Sequence, residues 1–120
     1  MNITNLNVCN NTGITSAGLT TLTKLTNLDI GNTGITTLDL SQNTELAVLS
    51  LIQCSGLTTI DLSKNTKLQS LSAQSSGLTS LNLVNDVALK EIFVPFCTSL
   101  SSMDVSNCQA LESVILWRQN

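Results

Sequence analysis

The stretch Ile35-Thr-Thr-Leu-Asp-Leu-Ser-Gln-Asn-Thr-Glu45 returns 22 residues later as Leu57-Thr-Thr-Ile-Asp-Leu-Ser-Lys-Asn-Thr-Lys67. Leu78 to Ala88 and Leu100 to Ala110 are looser copies. The intervening segments keep the aliphatics and change nearly everything else, as in Leu46-Ala-Val-Leu-Ser-Leu-Ile-Gln-Cys54 and Leu89-Lys-Glu-Ile-Phe-Val-Pro-Phe-Cys97. Half-repeats therefore open at Ile3, Ile14, Leu25, Ile35, Leu46, Leu57, Leu68, Leu78, Leu89, Leu100 and Leu111, spaced by 10 or 11 residues. Taken in pairs they give repeats of 22, 21, 22, 21 and 22 residues, a 43-residue super-repeat that suggests duplication of repeat pairs. Self-similarity at a fixed period of this size is the mark of a solenoid.

Counting from the opening aliphatic of each half, positions 4 and 6 are apolar while 3, 5 and 7 are mostly polar, the alternation of a half-buried strand. Position 1 points inward from the preceding turn. One such strand cannot bury its face alone, so successive coils must stack, with strands pairing in parallel about 4.8 Å apart. Strands are expected near Asn5 to Val8, Asn27 to Ile30, Val48 to Leu51, Ser70 to Ala73, Glu91 to Val94 and Ser113 to Leu116, with Leu28, Leu49, Leu71 and Ile92 in one buried stack. The more constant halves share the period, so the opposite wall reads as extended or strand-like. Ile14 to Leu25, with Leu19, Leu22 and Leu25 three apart, has room for a helical or 3₁₀ turn.

These residues resemble the leucine-rich repeat, whose signature is L-x-x-L-x-L-x-x-(N/C)-x-L. The alternation with an L-D-L-S-x-N-T segment is most similar to bacterial surface leucine-rich repeats of the internalin-like kind. The resemblance spans residues 3 to 119. It implies a β-rich solenoid of the α/β-horseshoe class, with a parallel sheet on the concave face, an extended or 3₁₀ convex side and little or no α-helix. Residues 1–120 read as a single domain of about five repeats plus a final strand, a piece of a larger protein in one reading. Which wall is concave stays open, since the Asp-Leu-Ser halves could take that side. In the family the ninth position turns inward to satisfy backbone groups of the adjoining loop; here the variable halves place Asn11, Thr33, Cys54, Ser76, Cys97 and Gln119 there.

Composition narrows the function. Leu, Ile and Val supply 36 residues and Ser, Thr and Asn another 44, while 2% of residues are aromatic and 11% charged. Branched aliphatics in that number can bury a core, which excludes intrinsic disorder. A net charge of −3 without a basic cluster argues against nucleic acid or an anionic membrane surface as partner. No apolar run approaches the roughly 18 to 20 residues needed to span a bilayer. Met-Asn-Ile-Thr-Asn-Leu-Asn7 has neither a basic n-region nor an apolar h-region, so it is not read as a signal peptide. With no histidine, no serine has an imidazole to activate it, and no phosphate-binding or metalloprotease motif occurs. No enzymatic activity and no cofactor are expected. Asn2-Ile-Thr4 and Asn10-Asn-Thr12 match a glycosylation sequon, but a chain this rich in Asn and Thr produces such matches by chance.

Two clusters raise other chemistry. Cys54 and Cys97 occupy equivalent sites two coils apart, roughly 10 Å along the stack and beyond disulfide reach. Cys9 faces outward, Cys108 lies on the opposite wall, and without His or C-x-x-C no zinc site is expected. All four read as free thiols, three of them buried. Asp39, Asp61 and Asp104, interrupted by Asn82, stack at position 5 of the constant halves. Such a column either coordinates a hard cation through oxygen or bonds neighbouring backbone in the turn, and the second fits the interruption better.

The variable halves carry the functional argument. In coils one, two and four their outward columns hold small polar groups, whereas coils five and six carry Phe93, Phe96 and Trp117, all the aromatics of the chain, beside Glu91, Pro95, Ile115 and Arg118. Aliphatics already fill the core, so this cluster reads as a binding patch, with capping of the last coil as the competing reading. A non-enzymatic scaffold presenting that face to a protein or glycan partner is the expected function. A structural or assembly module, whose ends are covered by neighbouring chains in a homo-oligomer, is the alternative. The resemblance implies a bacterial cell surface or secreted setting, and the assembly reading a virion-associated one.

Overall fold

The computed structural model describes residues 2–116. Six three-residue strands form one parallel sheet: β1 (Asn5–Asn7), β2 (Asn27–Asp29), β3 (Val48–Ser50), β4 (Ser70–Ser72), β6 (Glu91–Phe93) and β8 (Ser113–Ile115). Between them on the opposite wall run β5 (Ser80–Asn82) and β7 (Ser102–Asp104), a second parallel pair. Each strand pairs with the equivalent residues one coil on, Leu28 with Leu49, Leu49 with Leu71, Leu71 with Ile92. The expected register holds. A slip of one residue would have turned every aliphatic outward.

Backbone bonds extend the ladder past the strands at both ends. Before them, the position-2 carbonyls of Thr4, Thr26, Ala47, Gln69 and Lys90 each accept two amides from the following coil. Behind them, Ile30, Leu51, Ala73 and Val94 donate to Ser50, Ser72, Phe93 and Ile115. Leu28, Leu49, Leu71 and Ile92 form one fully buried stack, with Ile30, Leu51, Ala73 and Val94 beside it and Leu25, Leu46, Leu68 and Leu89 behind. At about 1.5–3 kcal/mol per fully buried aliphatic, this triple column is what drives the coils together. The terminal coils have a neighbour on one side only: Leu6 is half-buried, and Val114 and Leu116 are 38% and 53% exposed.

The constant wall is extended but departs from a continuous sheet. Only β5 and β7 make a ladder there; the earlier coils turn without strand pairing among the described residues. Periodicity reports which residues face inward, not whether the backbones of a curving stack lie close enough to bond. A 3₁₀ turn over Leu19–Thr21 falls inside the segment expected to hold one.

Candidate functional site

The outward face of the six-stranded sheet is built by the turn that follows each strand. Position 8 adopts left-handed backbone in every described coil: Asn10, Asn32, Gln53, Ser75 and Phe96 have φ between 52° and 67°. This conformation lets the position-8 amides of Asn10, Asn32, Gln53 and Ser75 donate to the position-7 carbonyls of Gly31, Ile52, Gln74 and Pro95 in the next coil. Asparagine tolerates that region; a bulky side chain pays about 1–2 kcal/mol to enter it. Phe96 is the bulky one.

Position 5 divides the face in two. In the first coils it serves the turn: Asn7 Oδ1 accepts the Cys9 amide at 3.0 Å, and Asp29 Oδ1 accepts that of Gly31 at 2.9 Å. Asn10 and Asn32 join through their side chains at 2.9 Å. A shallow groove of about 410 Å³ lies here, lined by Asn5, Asn7, Asn27, Asp29 and Ser50 together with Leu6, Leu28 and Val48. Two of its polar side chains are thus already committed to the backbone.

At the other end, position 5 is apolar. Phe93 sits opposite Ile115 in the parallel pairing of β6 with β8, and Ser72 lies on its other side. Phe93, Phe96 and Ile115 are each half-buried, and Glu91, opposite Ser113, is exposed. Pro95, read from the sequence as an outward residue, is buried instead, its carbonyl accepting the Ser75 amide at 3.1 Å in the turn that joins the coils. Trp117 and Arg118 lie outside the described residues, as does Gln119 of the ninth-position column. The structure therefore brings together Phe93 and Ile115, with Glu91 on the same strand and Phe96 in the turn after it.

At the ninth position Asn11, Cys54 and Cys97 bond backbone carbonyls as expected, whereas the buried Thr33 hydroxyl has no partner and that of Ser76 meets the Cys97 thiol at 3.4 Å. Asn11 Nδ2 donates to the carbonyls of Val8 and Cys9, Cys54 Sγ to Ile30 at 3.3 Å, and Cys97 Sγ to Ala73 at 2.9 Å. All four cysteines are free, with Cys54, Cys97 and Cys108 buried and Cys9 half-buried. Burial pushes the Cys54 thiol above its usual range, so it acts as a neutral donor. On the constant wall, Asp39, Asp61 and Asp104 each accept the amide two residues on, from Ser41, Ser63 and Ser106, at 2.9 to 3.0 Å. Hydrogen bonds from those serines hold all three carboxyls below the ordinary carboxylate range. Among the described residues no cluster of three or more Cys, Asp or Glu is placed to hold a metal ion.

Sequence reasoning overlooked two features. The left-handed column was visible in principle, since Asn recurs at position 8 in coils one and two. The second is a buried column at the ninth position of the constant halves, Asn43, Asn65, Asp86 and Cys108, the first three wholly buried. The identical Asn in both Leu-Asp-Leu-Ser segments was its signal.

No protein-family model matches the chain, and comparison with curated proteins finds no match. Solved structures do match. The functional domain of InlJ from Listeria monocytogenes, described as including a cysteine ladder, is 22% identical with a TM-score of 0.83, over 98% of this chain and 30% of that one. An internalin, InlF, of the same organism is 21% identical with a TM-score of 0.60, over 92% of this chain and 39% of that one. The chain thus spans about a third of the length of these two structures. What is shared is the fold, an internalin-like leucine-rich-repeat solenoid of about 22-residue turns.

Proposed function

We propose that this leucine-rich-repeat solenoid is a non-enzymatic scaffold that binds a protein partner through the strand face, at the end formed by β6 and β8. Phe93, Phe96 and Ile115 supply the apolar contact and Glu91 its polar border; Trp117 and Arg118 are assigned to the same site from their positions in the repeat alone. The single observation that carries this reading is the backbone of Phe96. Four other coils fill the same left-handed site with Asn, Gln or Ser, so a half-buried phenylalanine there adds strain that those residues avoid. Such strain is found where a side chain has a task beyond the fold. The Phe93–Ile115 pair gives the same patch an apolar surface that no other coil carries at position 5. Aromatic anchors of this kind dominate protein interfaces. The fold shared with internalins is consistent with a binding scaffold, and the absence of histidine from the sequence supports a non-enzymatic one.

The test is selection of binders from a displayed protein library against the native chain, followed by titration calorimetry of each purified binder. Replacing Phe93 and Trp117 by Ala should abolish binding while circular dichroism and the unfolding transition persist. Binders that titrate equally with the variant place recognition elsewhere. The polar groove over β1–β3 is the site that would suit a glycan. The alternative reading is an assembly module. Light scattering separates the two: a monomer supports the scaffold, an obligate oligomer the assembly module.

A further inference from the structure

The buried column on the constant wall is a ladder of donors, Asn43, Asn65 and Cys108, the last through an S–H that meets the Leu83 carbonyl at 3.3 Å. One rung between them, Asp86, has no fixed N–H or S–H to give. Asn43 Nδ2 donates to the carbonyls of Leu19 and Leu22 at 2.9 and 3.0 Å, and Asn65 Nδ2 to those of Leu40 and Asn43 at 3.0 and 2.9 Å. Each Asn rung hangs from the position-6 and position-9 carbonyls of the coil before. Carried one coil on, the same register assigns to Asp86 the carbonyls of Leu62 and Asn65. Each of those accepts one backbone amide, from Asn65 and Leu68, and keeps a lone pair free for the rung above. Asp86 is wholly buried, and both its carboxyl oxygens lack a hydrogen-bond partner. An ionised carboxylate could only oppose those carbonyls, acceptor against acceptor.

The same coil carries the reciprocal change. Position 5, Asp in the Asp39, Asp61 and Asp104 coils, is Asn82 here, so Asp and Asn have traded places. At position 5 the trade is harmless, because only an acceptor is needed and Asn82 Oδ1 accepts the Val84 amide at 3.2 Å. At position 9 it removes both donors.

We propose that Asp86 sits in the folded solenoid as a neutral acid whose O–H replaces the missing amide, donating to the Leu62 or Asn65 carbonyl, and that this coil is a proton-dependent joint which loosens when the proton is lost. Burial first, and the Asp61 carboxylate second, push the Asp86 pKa from 3.8 up to about 7. The titratable groups around it do not supply an alternative. Asp61, with Lys64 near it, belongs to the coil before; Cys108 and Asp104 belong to the coil after. The Cys108 thiol is itself pushed up by burial and by Asp86 and Asp104, so it stays neutral. A calcium ion in place of the proton would need six to eight oxygen ligands, more than this carboxyl and two carbonyls offer.

The sign follows from linkage. An acid whose folded pKa exceeds its unfolded value gives stability that is complete below about pH 4 and is lost as pH rises to about 7, after which the profile is flat. Asp39, Asp61, Asp104 and Glu45 are shifted the other way and act only as pH falls through the acid range, which leaves the window from about 5 to 7 to Asp86.

Urea unfolding of the native chain between pH 5 and 8 tests this, with Asp86→Asn beside it. The native folding constant should fall about tenfold per unit from pH 5 towards 7. Asp86→Asn should be flat across that range and more stable than the native chain at pH 8, because an amide restores both bonds. Parallel profiles for the two proteins, or a less stable variant at pH 8, would overturn the assignment. So would calcium chloride that stabilises the native chain at pH 8 but not the variant, which would place a cation where the proton is proposed. If Asp86→Asn fails to fold, carboxyl carbon NMR of the native chain decides: an Asp86 midpoint near 7 supports the joint, and one near 4 refutes it.

Discussion

Phe96 and the cysteines set opposite demands on single residues. A left-handed phenylalanine strains the fold, so Phe96→Asn should leave the urea midpoint at or above that of the native chain, by up to about 1 kcal/mol, while weakening partner binding. A fall of 2 kcal/mol or more, on the order of a buried aromatic's packing contribution, would show that the ring is part of the core. The thiols are governed by depth. Cys9 should react with a thiol reagent first in the native protein, Cys54, Cys97 and Cys108 slowly, and all four after unfolding without reductant, in keeping with their exposure and free state. A count below four under those conditions would mean that a disulfide had formed. Position 9 of the variable halves was legible in the sequence because its polarity stands out against aliphatic neighbours. The strain at Phe96 was not, since side-chain chemistry alone does not report φ. Nor was the burial of Pro95, because alternation ends with the strand and assigns the turn residue outward.

At the scale of the element, the strand register was legible because position 4 and position 6 aliphatics admit only one alignment. The aliphatic stack matches it coil for coil. The ladder on the constant wall was not, because equal periodicity there yields a paired strand only at β5 and β7. Turns between halves differ in how closely they pack. A β-carbon at Gly77 would meet the Ser55 carbonyl well inside contact distance, while Gly77 N donates to the Cys54 carbonyl at 3.2 Å. Gly77→Ala should therefore cost about 1–3 kcal/mol through overpacking. Gly13, with nothing near its β-carbon, provides the control: Gly13→Ala should be neutral or stabilising by about 0.4–1 kcal/mol. Equal thermal midpoints for the two variants would contradict this account of the turns. The exposed Lys67–Glu45 pair, 2.8 Å apart across adjacent coils, contributes little beside such packing.

The whole molecule is a stack, 40 × 31 × 17 Å, whose stability is shared between neighbouring coils. Leu49→Ala in its centre should cost about 2–5 kcal/mol, more than the same change at the half-buried Leu6 of the first coil. The fold was readable from the sequence because one chemical pattern repeats at one period; the patch is proposed because coils five and six break that pattern at Phe93, Phe96 and Ile115. What the pattern could not carry is the contact between Phe93 and its neighbours, which depends on how the last coils pack. The central claim is that these aromatics serve recognition and that the aliphatic columns hold the solenoid without them. Urea unfolding of the Phe93→Ala, Trp117→Ala double variant tests it most directly. The account expects a single cooperative transition, lower than the native one by no more than about 1 kcal/mol for the lost cross-strand pair. Loss of the cooperative transition would contradict it and make the aromatics a cap on the last coil.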